Sequence, residues 1–257
     1  MKIAILGCGV MGSAFARQLA KQGHQLALCD RRREVGMVLA DELGASFFDD
    51  PNEAADKAEV VLLAIKPDQI EDISQQLEGR KRTLLSILAG TSIAEMQEWF
   101  PGCQIIRAMP NLALIHGESI IALVGDEDVD EELKRKVSEL LDPMGMVFWT
   151  EEEKMDAITA LAGSGPAFII AIVEALVEAG IQMGLPVQIA RSVALKMIQG
   201  AVSLMEHHEG HPGEIRWRIS SPKGTTIAGL NALEKEGVRS GIIQTVLASY
   251  EKAKDMR

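Results

Sequence analysis

The stretch Gly163-Ser164-Gly165-Pro166-Ala167-Phe168-Ile169-Ile170-Ala171-Ile172-Val173 constrains this chain more than any other. Pro166 suits the first position of a helix, because its fixed φ and missing N–H cost nothing there. Ser164 stands just ahead as a cap. No polar residue interrupts Ala167–Val173, so the expected helix has no wet face over its first two turns. A membrane span needs about 20 such residues, and Glu174 and Glu178 break the run earlier. A helix apolar on all sides and too short for a bilayer must be buried in protein. Nothing else in the C-terminal third is apolar enough to surround it alone. The expectation is a dimer core, with the Gly-Ser-Gly turn at its start left open for a ligand.

The N-terminal half alternates strands with helices. Ile3–Leu6 is a short, wholly apolar run, the mark of a central parallel strand. Gly7-Cys8-Gly9-Val10-Met11-Gly12 follows, then a helical stretch to Gly23 and a second apolar strand, Leu26–Leu28, ending in Cys29-Asp30. Strand, G-x-G-x-x-G turn, helix, strand and acid form the context that a dinucleotide site requires. The first glycine permits the tight turn, the second lets the backbone approach a pyrophosphate, and the third allows close helix–strand packing. The helix N-terminus adds N–H groups and positive potential.

Further strands are expected at Val60–Ile65, ending in Lys66-Pro67, and at Thr83–Leu88, ending in Ala89-Gly90. Gln104–Met109 ends in Pro110-Asn111, and Ile120–Val124 and Met146–Trp149 complete the sheet. Such strand ends lie along the edge where doubly wound sheets bind ligands. Lys66 there either contacts a phosphate or ribose or stands solvated.

After Trp149 only helical periodicity remains. Helices are expected over Glu152–Leu161, from Pro166 onward, over Pro186–Met205, after Ser221-Pro222-Lys223-Gly224-Thr225-Thr226 to about Glu236, and over Gly241–Ala253. The expected fold class is α/β: a Rossmann-type doubly wound sheet over residues 1–150, then an all-helical dimerisation and substrate domain over 151–257. At 257 residues a chain commonly divides in this way.

A net charge of −11 argues against nucleic acid or an anionic membrane surface as partner. Cys8, Cys29 and Cys103 show no C-x-x-C spacing, so neither a disulfide framework nor zinc is expected. His207 and His211 sit four apart, but Gly210 and Pro212 end the helix between them, and no metal is expected. Glu174 and Glu178 share a helical face, as an acid–base dyad or as the polar edge of the buried helix. The apolar run after Met1 is too short for a signal peptide, which makes the cytoplasm the expected location.

Taken together, these motifs resemble pyrroline-5-carboxylate reductase along the whole chain. The family's A-V-K-P and R-x-M-P-N strand ends are similar to Ala64-Ile65-Lys66-Pro67 and Arg107-Ala108-Met109-Pro110-Asn111. Its G-S-G-P-A-Y helix start and S-P-G-G-T-T loop are similar to Gly163–Phe168 and Ser221–Thr226. Four departures stand out. Leu112-Ala113-Leu114 replaces Thr-Pro-Ala, Phe168 a tyrosine, Arg218 an asparagine that reaches the cofactor in some members, and Lys223 the loop's first glycine. Lysine tolerates a positive φ poorly, so the last bears on the loop's conformation.

The resemblance implies NAD(P)H-dependent reduction of the cyclic imine 1-pyrroline-5-carboxylate to L-proline, the last step of proline biosynthesis. It implies cofactor contacts from Gly7, Gly9, Val10, Met11, Gly12, Asp30, Arg31, Arg32, Asn52, Ala64, Ile65, Lys66, Pro67, Ala89, Gly90, Met109, Pro110 and Asn111. Substrate contacts fall to Glu152, Gly163, Ser164, Gly165, Ser221, Gly224, Thr225 and Thr226, with Thr226 as the catalytic residue that hydrogen-bonds the ring nitrogen. A homodimer with interleaved helical domains is implied too, and many members build such dimers into rings.

The residues suit that chemistry. A cyclic imine is basic enough to be substantially protonated near neutrality, and the iminium carbon accepts hydride readily, so the site needs placement more than a strong acid. Neither Ser221–Thr226 nor Gly163–Ala167 contains His, Cys, Asp or Glu. Helix N-termini after Pro166 and near Thr225 suit the substrate carboxylate. Two other readings stay open: a β-hydroxyacid dehydrogenase with Lys196 as acid–base, and a dinucleotide sensor without turnover. Asp30 favours NADH by binding the ribose diol, whereas Arg31, Arg32 and Arg33 favour NADPH by clamping its 2′-phosphate. The balance leans to NADPH, with NADH also accepted.

Overall fold

The structure, a computed structural model, describes residues 1–77 and 81–256. Its first elements are β1 (Lys2–Leu6), α1 (Val10–Lys21), β2 (Gln25–Cys29), α2 (Arg33–Leu43), β3 (Ser46–Phe47) and α3 (Pro51–Ala55). There follow β4 (Val60–Leu63), α4 (Ile70–Gln76), β5 (Thr83–Ser86), α5 (Ile93–Trp99) and β6 (Gln104–Met109). The strands end with β7 (Ser119–Gly125) and, after α6 (Glu131–Leu141), β8 (Gly145–Trp149).

The described strands form one sheet in the order β3-β2-β1-β4-β5-β6-β7-β8. Its pairs are parallel except β6 with β7. Strand periodicity sends alternate residues to opposite faces. Ile3 and Ile5 join Phe15 and Leu19 of α1, whereas Ala4 and Leu6 join Ala54, Met96 and Phe100. Helices therefore cover both faces, as a doubly wound sheet requires. From β1 the chain steps outward to β2 and β3, then returns to add β4 on the other side. This reversal creates the crevice at the C-terminal ends of β1 and β4 where such sheets bind ligands.

Every later described element is helical: α7 (Met155–Ile158), α8 (Gly165–Gln182), α9 (Val187–Glu206), α10 (Pro212–Arg218), α11 (Thr225–Lys235) and α12 (Val238–Lys254). By packing, the chain divides into two compact units, Met1–Ser164 with Tyr250–Arg257, and Gly165–Ser249. The helical residues up to Ser164 thus belong with the sheet. In the second unit α8 and α9 approach closely where Gly180 meets Ala190; a Cβ at Gly180 would come within 2.9 Å of the alanine's.

The expected break at Ser164 is absent. Ser164 has helical dihedrals (φ −88°, ψ −25°), and Thr159–Gly163 is a turn of π-helix. Its N–H donates to Thr159 O at 2.9 Å, five residues back, instead of capping. Residues 152–182 form one 31-residue helical run, long and apolar enough by length and composition to cross a bilayer. Pro166 therefore lies inside a helix. A single chain also fails to bury α8: Ile169 and Ile170 are 52% and 59% exposed.

Candidate active site

The three glycines after β1 serve three geometric purposes. Gly7 has φ +101°, and a Cβ there would stand 2.4 Å from Ala64 O, at the end of β4. A Cβ on Gly12 would stand 1.9 Å from Gly7 O, so only glycine lets α1 sit this close to the turn. Around Gly9 there is no atom within 4 Å of such a Cβ, which leaves open backbone for a ligand. Gly9 also begins α1 without a side-chain cap. The first-turn N–H groups, those of Val10 and Met11 among them, are left for an anion. This turn fits a dinucleotide pyrophosphate, and a groove of about 450 Å³ runs from Gly9 and Val10 past Arg32.

Asp30 ends β2 with its carboxylate turned into that loop and 6% exposed. Oδ2 accepts the Cys8 N–H at 2.7 Å, and Oδ1 accepts the Arg32 N–H at 2.8 Å. Burial raises the Asp30 pKa, but the hydrogen bonds from Arg32 and Cys8 outweigh it and hold the carboxyl below its ordinary range. Arg33 is engaged by Asp49 and lies over Phe47. Arg31 and Arg32 remain at the exposed rim. Burial, with the Asp30 charge behind it, pushes Cys8 up to about 12 and Cys29 to about 11, which makes both packed, unreactive thiols.

Ala64 and Ile65 lead from β4 into Lys66, an extended and exposed residue just before Pro67. Ala89 and Gly90 follow β5 closely. Met256 O would lie 2.7 Å from a Gly90 Cβ, so the C-terminal segment packs directly on this loop. Asn52 departs from expectation. Its Nδ2 donates to Gln76 O, and its Oδ1 accepts from Arg82 at 2.8 Å. Gln76 and Arg82 precede β5, at the edge of the sheet opposite the glycine turn. Both ends of the side-chain amide are engaged there.

At the end of β6, several expected site residues do come together. Arg107, 1% exposed within the strand, pairs through its guanidinium with the carboxylate of Glu152. Two residues on, Met109 Sδ lies 3.7 Å from the position of a Gly163 Cβ. Asn111 Nδ2 donates to Ala162 O at 3.0 Å. Glu152, Gly163 and Ser164 thus share one compact unit with Met109, Pro110 and Asn111.

Gly165 and the Ser221–Thr226 loop belong to the other unit. The Gly224 N–H donates to Ser221 O at 3.0 Å, closing a turn with Pro222 and Lys223 at its centre. Lys223 has φ +59°, the one non-glycine residue with positive φ among those described. A turn with proline second and positive φ third has the type II pattern. Lysine therefore adopts the glycine conformation, at a steric cost of about 1–2 kcal/mol. Gly224 then starts α11 with no side-chain cap, so the N–H groups of Thr225 and Thr226 are open to an anion. Thr226 is half-buried, and Lys196, which the hydroxyacid reading requires, is exposed midway along α9.

A family model described as pyrroline-5-carboxylate reductase dimerisation matches residues 152–256. One described as NADP oxidoreductase, coenzyme F420-dependent, matches residues 2–90. The pyrroline-5-carboxylate reductase of Aquifex aeolicus is 35% identical over 258 residues, covering 100% of this chain and 97% of the relative. This chain belongs to the pyrroline-5-carboxylate reductase family. The crystal structure of the Streptococcus pyogenes 1-pyrroline-5-carboxylate reductase superposes with a TM-score of 0.93 at 32% identity, covering 99% of this chain and 98% of that one. The Plasmodium falciparum pyrroline carboxylate reductase, solved with NADP bound, gives 0.90 at 25% identity, covering 100% and 98%.

In this reductase-family chain the apolar α8 lies within the dimerisation segment, which accounts for faces that one copy leaves uncovered. Arg107 is the site residue that sequence reasoning passed over. An arginine amid the apolar residues of a central strand is itself a signal, since such a charge is almost never fully buried without a partner.

Proposed function

We propose that this chain reduces 1-pyrroline-5-carboxylate to L-proline with NADPH, as a cytoplasmic homodimer. The observation that carries the reading is the full-length match to pyrroline-5-carboxylate reductases at 35% identity, which takes in both the dinucleotide turn and the dimerisation segment. Bound in its reduced form, the nicotinamide supplies the hydride that adds to the C=N carbon. The uncapped N–H groups at Val10 and Met11 hold the pyrophosphate. Asp30 binds its own loop and also pairs with the Arg32 guanidinium, Nε to Oδ1 at 3.3 Å, so a 2′-phosphate draws on the exposed Arg31 and on Arg32 by exchange of that pairing.

The substrate carboxylate is assigned to backbone N–H groups at Thr225 and Thr226, with Ser221 and Gly224 shaping that loop. Thr226 donates its hydroxyl hydrogen bond as the ring nitrogen becomes an amine. Glu152 is held in place by its ion pair with the buried Arg107. No acid is asked to deliver a proton, because the iminium already carries it. Turnover of pyrroline-5-carboxylate with NADPH, with threonine and a 3-hydroxyacid offered with NADP+ as controls, tests the reading. Proline as the sole product is expected. Oxidation of the hydroxyacid, or no turnover of any of the three, overturns it.

A further inference from the structure

One side chain joins the end of β6 to the π-turn at 159–163. In a regular helix the carbonyl of Ala162 accepts the N–H of residue 166. That residue is Pro166, which has none. Ala162 is buried, and a buried carbonyl left without a donor is destabilising. Asn111 supplies the donor, its Nδ2 standing 3.0 Å from Ala162 O. Oδ1 of the same amide accepts the Ala113 N–H at 3.0 Å, and the Asn111 N–H donates to Ser119 Oγ at 3.1 Å. The residue is thereby held on both sides, and it is buried. Only an amide of this length donates and accepts at once here; aspartate keeps the acceptor but, when ionised, loses the donor.

We infer that Asn111 is a positioning residue: its amide takes the place of the missing Pro166 N–H and holds the π-turn, with Gly163 and Ser164, against the β6 strand end. π-Turns recur at functional sites because they re-aim the backbone of an otherwise regular helix. Asn111 therefore serves the reaction through the turn and not as a direct cofactor ligand. What is positioned rests on the reductase reading; the latch itself does not.

Amide hydrogen exchange and steady-state kinetics on the full-length protein separate the two. In Asn111→Ala, exchange should quicken over 155–165 and stay unchanged over Gly7–Gly12, with kcat about tenfold to a hundredfold lower. The dissociation constant for NADPH should move less than about threefold, below what loss of one direct hydrogen bond gives. Adding Pro166→Ala restores an N–H four residues after Ala162, so the double variant should regain slow exchange and part of kcat. Asn111→Asp keeps the Ala113 contact. Its defect should shrink as pH falls, because the protonated carboxyl can again donate to Ala162. Unaltered exchange in Asn111→Ala, no rescue by Pro166→Ala, or NADPH binding weakened as much as kcat overturns the inference. Loss of the reductase reading alone leaves the exchange results standing.

Discussion

Arg107 and Glu152, 45 residues apart in sequence, meet as an ion pair at the end of β6. The two ends differ in environment: the arginine side chain is 1% exposed and the glutamate 25%. Glu152→Ala strands a guanidinium with no access to water and should cost about 3–5 kcal/mol in urea unfolding. Arg107→Met leaves a carboxylate that water can reach and should cost less. The double variant should lose less than the sum of the two, because neither charge is then stranded. Equal single losses that add in the double variant would refute a functional pair.

The cofactor preference turns on Asp30. With both its oxygens engaged by Cys8 and Arg32, removing Arg31 and Arg32 together should lower kcat/KM for NADPH about tenfold or more and leave NADH nearly unchanged. A tenfold preference for NADH, unaltered by the double substitution, would overturn this.

Asp30 also predicts an acid limb in stability. Its carboxyl is held below its ordinary range in the folded state. The stabilisation is therefore complete above its unfolded value of about 3.9 and is lost as pH falls through the lower folded value. Asp30→Asn should flatten this limb in urea titrations below about pH 4.

The glycine turn was legible in sequence because its three requirements are local: a tight turn, an open backbone and a close helix. The π-turn was not. Pro166 reads as a helix start, and its placement inside a helix depends on an amide 51 residues away from Ala162. Arg107 is visible in sequence only as part of a strand-end motif, and its pairing is not, because the partner is distant in sequence. Asn52 carries no local mark that separates a cofactor contact from its bonds to Gln76 and Arg82. The sequence raised the question of Lys223, and the structure answers it with a left-handed lysine.

Lys223→Gly should relieve that conformation. Stability should rise by about 1 kcal/mol, less than the full steric cost because glycine has more unfolded freedom to lose. At fixed protein concentration this corresponds to a Tm increase of about 2–4 °C. A lower Tm would mean that the lysine side chain makes a compensating contact.

Ile170, 59% exposed on α8, tests dimerisation. The unmutated protein should sediment as a dimer or larger. Ile170→Asp should aggregate or unfold, because a charge buried without a partner costs several kcal/mol. A monodisperse, active monomer of the unmutated chain would contradict this.

The measurement that bears most directly on imine reduction by placement is kcat/KM of Thr226→Val and Lys196→Met between about pH 5 and 9, a span bracketing histidine titration. Deleting one hydroxyl removes a hydrogen bond worth about 0.5–1.5 kcal/mol, or up to about 3 if its partner is charged. Thr226→Val should therefore lose about 3-fold to 150-fold, with little dependence on pH, and Lys196→Met should stay near the parent. A loss of about 10³-fold that eases at low pH would make Thr226 an obligatory proton donor. A silent Thr226→Val beside an inactive Lys196→Met would contradict the account outright.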